Sequence, residues 1–434
     1  MPATKLTGNN GVDNDAPPNP PRRGFLRAGP VLAAGLVLPA AVARAQTLPA
    51  ERWTATWGAA PAGPPPSTSA TLSLSNQTLR LIVHASVGGS LVRIRLSNEM
   101  GSTPLTIGAA RIALRASGAS TIAGTDRQLL FGGRPAITIP GGAPALSDAA
   151  DLAIPAFADL AISVYLPGAA LATTLHNIAL QTSYVSTAGD RSAAPSLPVQ
   201  RTLSTWPFLA EVDVSGAQSG LTAVSTLVVL GDSLSDGQAS TANANRRWPD
   251  ALARRLQLEL GVAGNIGVVN RGISGNCLLT DYASSLLAGR DGLERFDRDV
   301  LGTAGVRWLL ALIGINDIVY SAPSNPIPSD TLIGGHMQLV ARARARGLGV
   351  IGATLLPFEG QAYYNPAREA VRQRFNDWMR SAGVHDAIAD FDAALRDPGR
   401  PTRLTPAYDS GDHLHPNDAG YQAMARAVPL AVFS

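Results

Sequence analysis

Between about residues 52 and 215 the apolar positions come in short runs that tend to alternate. Val92-Arg93-Ile94-Arg95-Leu96 alternates apolar with polar, the period of a half-buried strand. The run at 79–84 precedes it, and Gly88-Gly89-Ser90 lies between. Glycines accept positive φ, so the spacing predicts a hairpin joining the two runs. Runs at 107–114, 160–166 and 178–185 continue the pattern, Pro and Gly punctuate each interval, and no long helical stripe occurs. These features predict an all-β sandwich or jelly roll.

From about residue 223 the rhythm changes to strand, loop, helix. The short apolar run at 224–230 suits a strand buried on both faces. Further strands are predicted at 266–269, 306–313, 350–356 and 387–391, and helices at 248–260, 329–346, 366–382 and 417–428. Such alternation implies an α/β domain, a parallel sheet with helices on both faces, whose chemistry gathers at the carboxyl ends of the strands. The expected organisation is a β domain over 46–220 and an α/β domain over 221–434, with no internal repeat.

Four polar loops stand at those strand ends. Gly231-Asp232-Ser233-Leu234-Ser235-Asp236-Gly237 follows the first strand, Asn270-Arg271-Gly272-Ile273-Ser274-Gly275-Asn276 the second, and Gly314-Ile315-Asn316-Asp317 the third. Beyond the fifth comes Asp409-Ser410-Gly411-Asp412-His413-Leu414-His415-Pro416-Asn417. Singly, each has a plainer reading: a serine after a strand is a turn or cap, and Asn316 or Asp412 can cap a helix. Jointly they supply what acyl transfer needs. A serine hydroxyl requires a base, histidine is the base at neutral pH, and a carboxylate fixes its tautomer. The developing oxyanion requires preorganised donors, for which the Ser233 and Gly275 N–H groups and the Asn316 amide are candidates. Asp232 as a phosphatase nucleophile would want a second aspartate two residues on, where Leu234 stands.

Composition adds limits. With 45% hydrophobic and 15% charged residues over 434 positions, the chain is globular and long enough for two cores. Five of its 35 basic and two of its 32 acidic residues fall in the first 45, so the remainder is neutral, 30 against 30. A neutral chain carries no footprint for nucleic acid or anionic membrane. Arg342, Arg344 and Arg346 spread around their predicted helix as a solvated face. Cys277 is the sole cysteine, which excludes an intramolecular disulfide. The six histidines form no ligand-spaced cluster beyond Asp412, His413 and His415, so neither metal nor cofactor is expected. At the N-terminus Arg22-Arg23-Gly24-Phe25-Leu26-Arg27 precedes an apolar run and Ala43-Arg44-Ala45. The run is too short for a convincing membrane span. The segment 1–45 resembles a twin-arginine export signal, which implies a periplasmic or secreted protein without stable membrane insertion.

The four loops resemble, in order and spacing, the four sequence blocks of the SGNH or GDSL hydrolase family, over roughly 223–434. The resemblance implies a flavodoxin-like sheet, Ser233 as nucleophile, Gly275 and Asn316 as oxyanion donors alongside the Ser233 N–H, and Asp412 and His415 from the Asp-x-x-His block. Only His415 has a carboxylate three residues upstream, which places the base there and not at His413. The region opening with Trp53-Thr54-Ala55-Thr56-Trp57-Gly58 more loosely resembles a branch of secreted bacterial arylesterases and acetylxylan-esterase-like acylhydrolases. The expected activity is hydrolysis of short acyl esters on carbohydrate or aryl alcohols. The alternatives are a lysophospholipase or thioesterase of the same fold, or a carbohydrate-binding surface protein with a vestigial hydrolase domain. Tyr363 and Tyr364 are candidate pocket residues, or anchors of their own loop.

Overall fold

Period-two runs can bury one face only against another layer, and the first half of the chain does so with two antiparallel sheets. The computed structural model describes residues 52–63, 71–216, 225–281 and 286–434; the predicted export signal lies outside them. One sheet sets Thr54–Gly58, Leu209–Ser215, Gly89–Ser97 and Pro144–Leu146 side by side, with Ala150–Ile154 also on Gly89–Ser97. The other runs Val199–Leu203, Ser183–Ser186, Gln77–His84, Asp159–Leu166, Ala109–Ser117. Leu79, Leu81 and Val83 from the second sheet share one core with Val92, Ile94 and Leu96 from the first.

The predicted hairpin between 79–84 and 92–96 is therefore wrong, since its two strands lie in different sheets. Gln77–His84 instead pairs residue for residue with Asp159–Leu166. Gly88 and Gly89 serve close approach: an added Cβ would sit 2.4 Å from the Ile154 carbonyl and 2.7 Å from Val214. The predicted strand at 178–185 shortens to Ser183–Ser186, after Leu180 has turned through φ 46°.

In the second half the strands lie in the order Ile266–Gly272, Ser225–Gly231, Val306–Leu312, Gly349–Ala353, Ala387–Ala389, all parallel. Leu227 to Leu230 and Leu309 to Leu312 are almost wholly buried, as continuous apolar runs in a covered parallel sheet should be. Helix Trp248–Leu260 packs on Asp418–Ala427, and Ser329–Arg344 on Pro366–Ser381. Three short helices, Ser233–Asp236, Ile315–Tyr320 and Phe391–Leu395, were not anticipated.

The described residues from 52 on fall into one compact unit, and its halves meet at Ile266–Gly272. Gly267 has no room for a Cβ, which would lie 2.2 Å from the Ala55 carbonyl. Ser86 Oγ accepts the Val268 N–H at 3.0 Å and donates to the Thr56 carbonyl at 2.6 Å. Arg271, fully buried, donates to the carbonyls of Ala59 and Ala210 and pairs with Glu211. Removing one member of a buried pair of this kind costs about 3–5 kcal/mol, because the other charge is left unpaired.

Candidate active site

The strand Ser225–Gly231 delivers a tight turn into the helix Ser233–Asp236. Gly231 is required by contact, since a Cβ there would fall 2.3 Å from Ser235 Oγ. The Asp232 side chain caps the helix by accepting the Leu234 N–H at 3.0 Å. This sets Ser233 on the first turn, only 6% exposed, with its Oγ 2.8 Å from His415 Nε2.

His415 comes from the loop before helix Asp418–Ala427, whose Asn417 cap accepts the N–H groups of Ala419 and Gly420. Its Nδ1 lies 2.6 Å from Asp412 Oδ2, while Asp412 Oδ1 accepts the backbone N–H of Leu414 at 2.9 Å and of His415 at 2.8 Å. A carboxylate can only accept, so Nδ1 carries the proton and Nε2 faces the Ser233 hydroxyl as acceptor. Partial burial alone would raise the Asp412 carboxyl; the bonds from the His415 ring and the two N–H groups outweigh it and hold the group well below the usual carboxylate range. His413 has its own carboxylate, Asp409, with Nδ1 to Oδ2 at 2.6 Å. Of the two histidines in this loop, only His415 reaches Ser233, as its place in the Asp-x-x-His block led us to expect.

Gly275 lies on a turn at φ 81°, a left-handed conformation that favours glycine. That turn is held on both sides. Asp236 Oδ2 accepts the Ser274 N–H at 3.0 Å and its hydroxyl at 2.8 Å, and Asn316 Nδ2 donates to the Asn276 carbonyl at 3.0 Å. One amide hydrogen of Asn316 is thereby used and one is left over. Among the described residues, the Ser233 and Gly275 N–H groups donate to no other protein atom. Asp236, whose role no motif advertised, thus connects the Ser233 helix to the Gly275 turn.

Two buried carboxyls lie behind the site. Asp232 is pushed up to about 7 by burial and by nearby Asp317, and its Oδ2 has no partner among the described residues. Asp317 is pushed up to about 6 by burial despite accepting the N–H groups of Leu278 and Leu279. The Cys277 thiol, also buried, is driven upward by desolvation and by these acids, which makes it a poor nucleophile. Of the two candidate pocket tyrosines, Tyr364 packs on Phe358 at 5.3 Å against the core and anchors its loop. Tyr363 is exposed and meets Tyr320 edge-on at 6.2 Å. The Tyr320 hydroxyl comes within 3.6 Å of where a Cβ on Gly275 would stand, so this pair belongs to the neighbourhood of the site. Asp281, Asp291 and Glu294 are the one group of acids among the described residues close enough to share a cation, but Arg290 already pairs with Asp281 and Glu294.

Residues 229–423 match the model of a family described as the GDSL-like lipase/acylhydrolase family. Among solved structures the chain is similar to an acetyl xylan esterase from Geobacillus stearothermophilus, at 23% identity and TM-score 0.36, over 48% of this chain and 94% of that one. It is also similar to an alpha/beta hydrolase enzyme from the metagenome of Lake Arreo, Spain, at 25% identity and TM-score 0.36, over 49% and 95%. A GDSL-like lipase from Bacteroides thetaiotaomicron VPI-5482 shares 20% identity at TM-score 0.33, over 48% and 87%. No curated protein matches the chain. Among the described residues, no helix is long and apolar enough to cross a membrane.

Proposed function

We propose, from the match of residues 229–423 to the GDSL-like lipase/acylhydrolase family, that this serine ester hydrolase is an exported esterase releasing short acyl groups from carbohydrate or aryl alcohols. The observation that carries the reading is the unbroken path from Asp412 through His415 to Ser233, with contacts of 2.6 and 2.8 Å. In the proposed reaction His415 Nε2 takes the hydroxyl proton as Ser233 Oγ attacks the ester carbonyl. The tetrahedral intermediate is met by the N–H groups of Ser233 and Gly275 and the free amide hydrogen of Asn316. Such a donor is worth roughly 3–4 kcal/mol of barrier. His415 then protonates the leaving alcohol, and water repeats the sequence to free the acid. None of these steps calls on a metal or cofactor.

The choice of a carbohydrate or aryl alcohol is supported by Tyr320 and Tyr363, exposed near Gly275, where an aromatic ring can pack against such a group. Export is inferred from the Arg22-Arg23 segment. We read the upstream sheets as an accessory sandwich bound to the hydrolase domain.

The test is hydrolysis of p-nitrophenyl esters from acetate to decanoate, with Ser233→Ala as baseline. Activity falling steeply beyond butyrate, and at least ~10³-fold lower in Ser233→Ala, is expected. A rise toward decanoate would transfer the assignment to a lysophospholipase or thioesterase, and substantial turnover by Ser233→Ala would refute the mechanism.

A further inference from the structure

The carboxylate that holds the Gly275 turn has another partner, and it comes from the other half of the chain. His176 lies on the two-residue strand Leu175–His176, paired with Trp206–Pro207 and bonded in both directions through Leu175 to Ala62. Its ring is buried against Trp206 at a centroid distance of 5.5 Å. Nε2 lies 2.9 Å from Asp236 Oδ1, and Nδ1 lies 3.1 Å from the Ala60 carbonyl. A carbonyl only accepts, so Nδ1 bears a proton, and a second proton lies in the contact between Nε2 and Asp236 Oδ1, where two bare lone pairs would otherwise meet. The other charged groups at this joint are Arg247, whose Nε donates to the Asp236 carbonyl at 2.6 Å and whose guanidinium lies over Trp206, and Asp250 facing Arg247.

Asp236 therefore receives His176 on one oxygen and both donors of Ser274 on the other, and Ser274 immediately precedes Gly275. We infer that His176 is a positioning residue for ester hydrolysis: acting through Asp236, it fixes the Ser274-Gly275 turn so that the Gly275 N–H meets the developing oxyanion. The inference rests on the Ser233 reading of the site and makes the upstream sheets a working part of it. Without the ring, Asp236 is a buried carboxylate short of a partner, which relaxes by moving or by drawing in water. Either response displaces Ser274. An oxyanion donor acts over a narrow range, about 2.7–3.1 Å, and losing one costs about 10²–10³ in kcat, so displacing one is expected to cost at least ~10-fold.

The experiment compares full-length parent, His176→Ala, His176→Gln and Asp236→Asn on p-nitrophenyl acetate, with a fluorophosphonate probe monitoring Ser233. Labelling of the parent at Ser233, and its loss in Ser233→Ala, establishes the underlying reading separately; an unlabelled parent would sink that reading first. Given labelling, kcat is expected to fall at least ~10-fold in His176→Ala with KM within about threefold, and to recover in part in His176→Gln, whose amide can still donate to Asp236. A kcat within about threefold of the parent, or a change confined to KM or Tm, would overturn the inference. If His176→Ala does not fold, Asp236→Asn decides, its amide being unable to accept from His176 and from both donors of Ser274 as the carboxylate does. Its kcat is expected to fall at least ~10-fold with KM within about threefold, and a kcat within about threefold of the parent would overturn the inference.

Discussion

Replacing Asp412 by asparagine changes one atom of the site, and the geometry says which way the new amide must face. Asp412 Oδ1 accepts two backbone N–H groups, at 2.9 and 2.8 Å. The substituted side chain would keep its oxygen there, because flipping would set an NH₂ against two donors. Two hydrogen bonds at about 0.5–1.5 kcal/mol each make the pinned orientation favoured by about 1–3 kcal/mol. Pinned, the amide points its NH₂ at His415 Nδ1 and demands that this nitrogen accept. The ring then carries its proton on Nε2, which donates to Ser233 Oγ and can no longer take the hydroxyl proton. The lost carboxylate charge also stops steadying the imidazolium. Because the Asp412 side chain is 48% exposed, that contribution is taken near the water-like end, about 1–2 kcal/mol for charges some 4 Å apart. Together these give about 2–5 kcal/mol, or roughly 30- to 5,000-fold in kcat/KM. The assay is initial-rate hydrolysis of p-nitrophenyl acetate by Asp412→Asn and Asp412→Ala, with circular dichroism to confirm folding. Asp412→Asn is expected to be no better than Asp412→Ala, since alanine imposes no tautomer. An Asp412→Asn enzyme within tenfold of the parent, or clearly faster than Asp412→Ala, would refute the reasoning.

His413→Asn should keep kcat within about threefold of the parent, since asparagine tolerates the left-handed backbone at φ 63° and His413 touches Asp409, not Ser233; the same change at His415 should abolish turnover on p-nitrophenyl acetate. The fully buried Asp232 carboxyl holds its proton up to about pH 7 in the folded chain, against an ordinary value of 3.8, so its contribution to stability is full below about pH 4 and lost as pH rises through 7. Asp232→Asn, which keeps the cap to Leu234, should therefore shrink the difference in unfolding free energy between pH 5 and pH 8 by about 2–3 kcal/mol in denaturant titrations; an unchanged difference would contradict this. Gly275→Ala adds a methyl into ordinary contact space, 3.5 Å from Ala288, but strains the left-handed backbone, so stability should drop by about 1–2 kcal/mol while kcat falls at least ~10-fold as the N–H turns away.

How much of this was legible from the residues follows from the range of the forces involved. Helix Trp248–Leu260 was readable to the residue because thirteen positions hold several turns of period and Pro249 marks its start. The helices at Ser233–Asp236 and Ile315–Tyr320 were not, since four and six residues hold too little period to see. The contact between Ser233 and His415 spans 182 residues, yet it was anticipated because each half sits in a motif of its own. His176 and Asp236, 60 apart, meet just as closely and carried no such mark. The glycines at 88 and 89 misled because a turn and a close approach leave the same trace in a sequence. Gln77–His84 found its partner 75 or more residues away, beyond what local spacing encodes. Likewise nothing in Tyr363-Tyr364 could say which ring faces inward; packing on Phe358 decided it.

Strand Ile266–Gly272 is the outermost of the parallel sheet, and its Val268 amide is satisfied by Ser86 from the upstream half while Gly267 lies against Ala55. An uncovered strand of this kind is a template on which another copy can add itself. The upstream half is thus also a guard against self-association. A gene trimmed to its hydrolase segment would bare the outward amides and carbonyls of a seven-residue strand, and it is in the solubility of that fragment, before its activity, that the missing half would be felt.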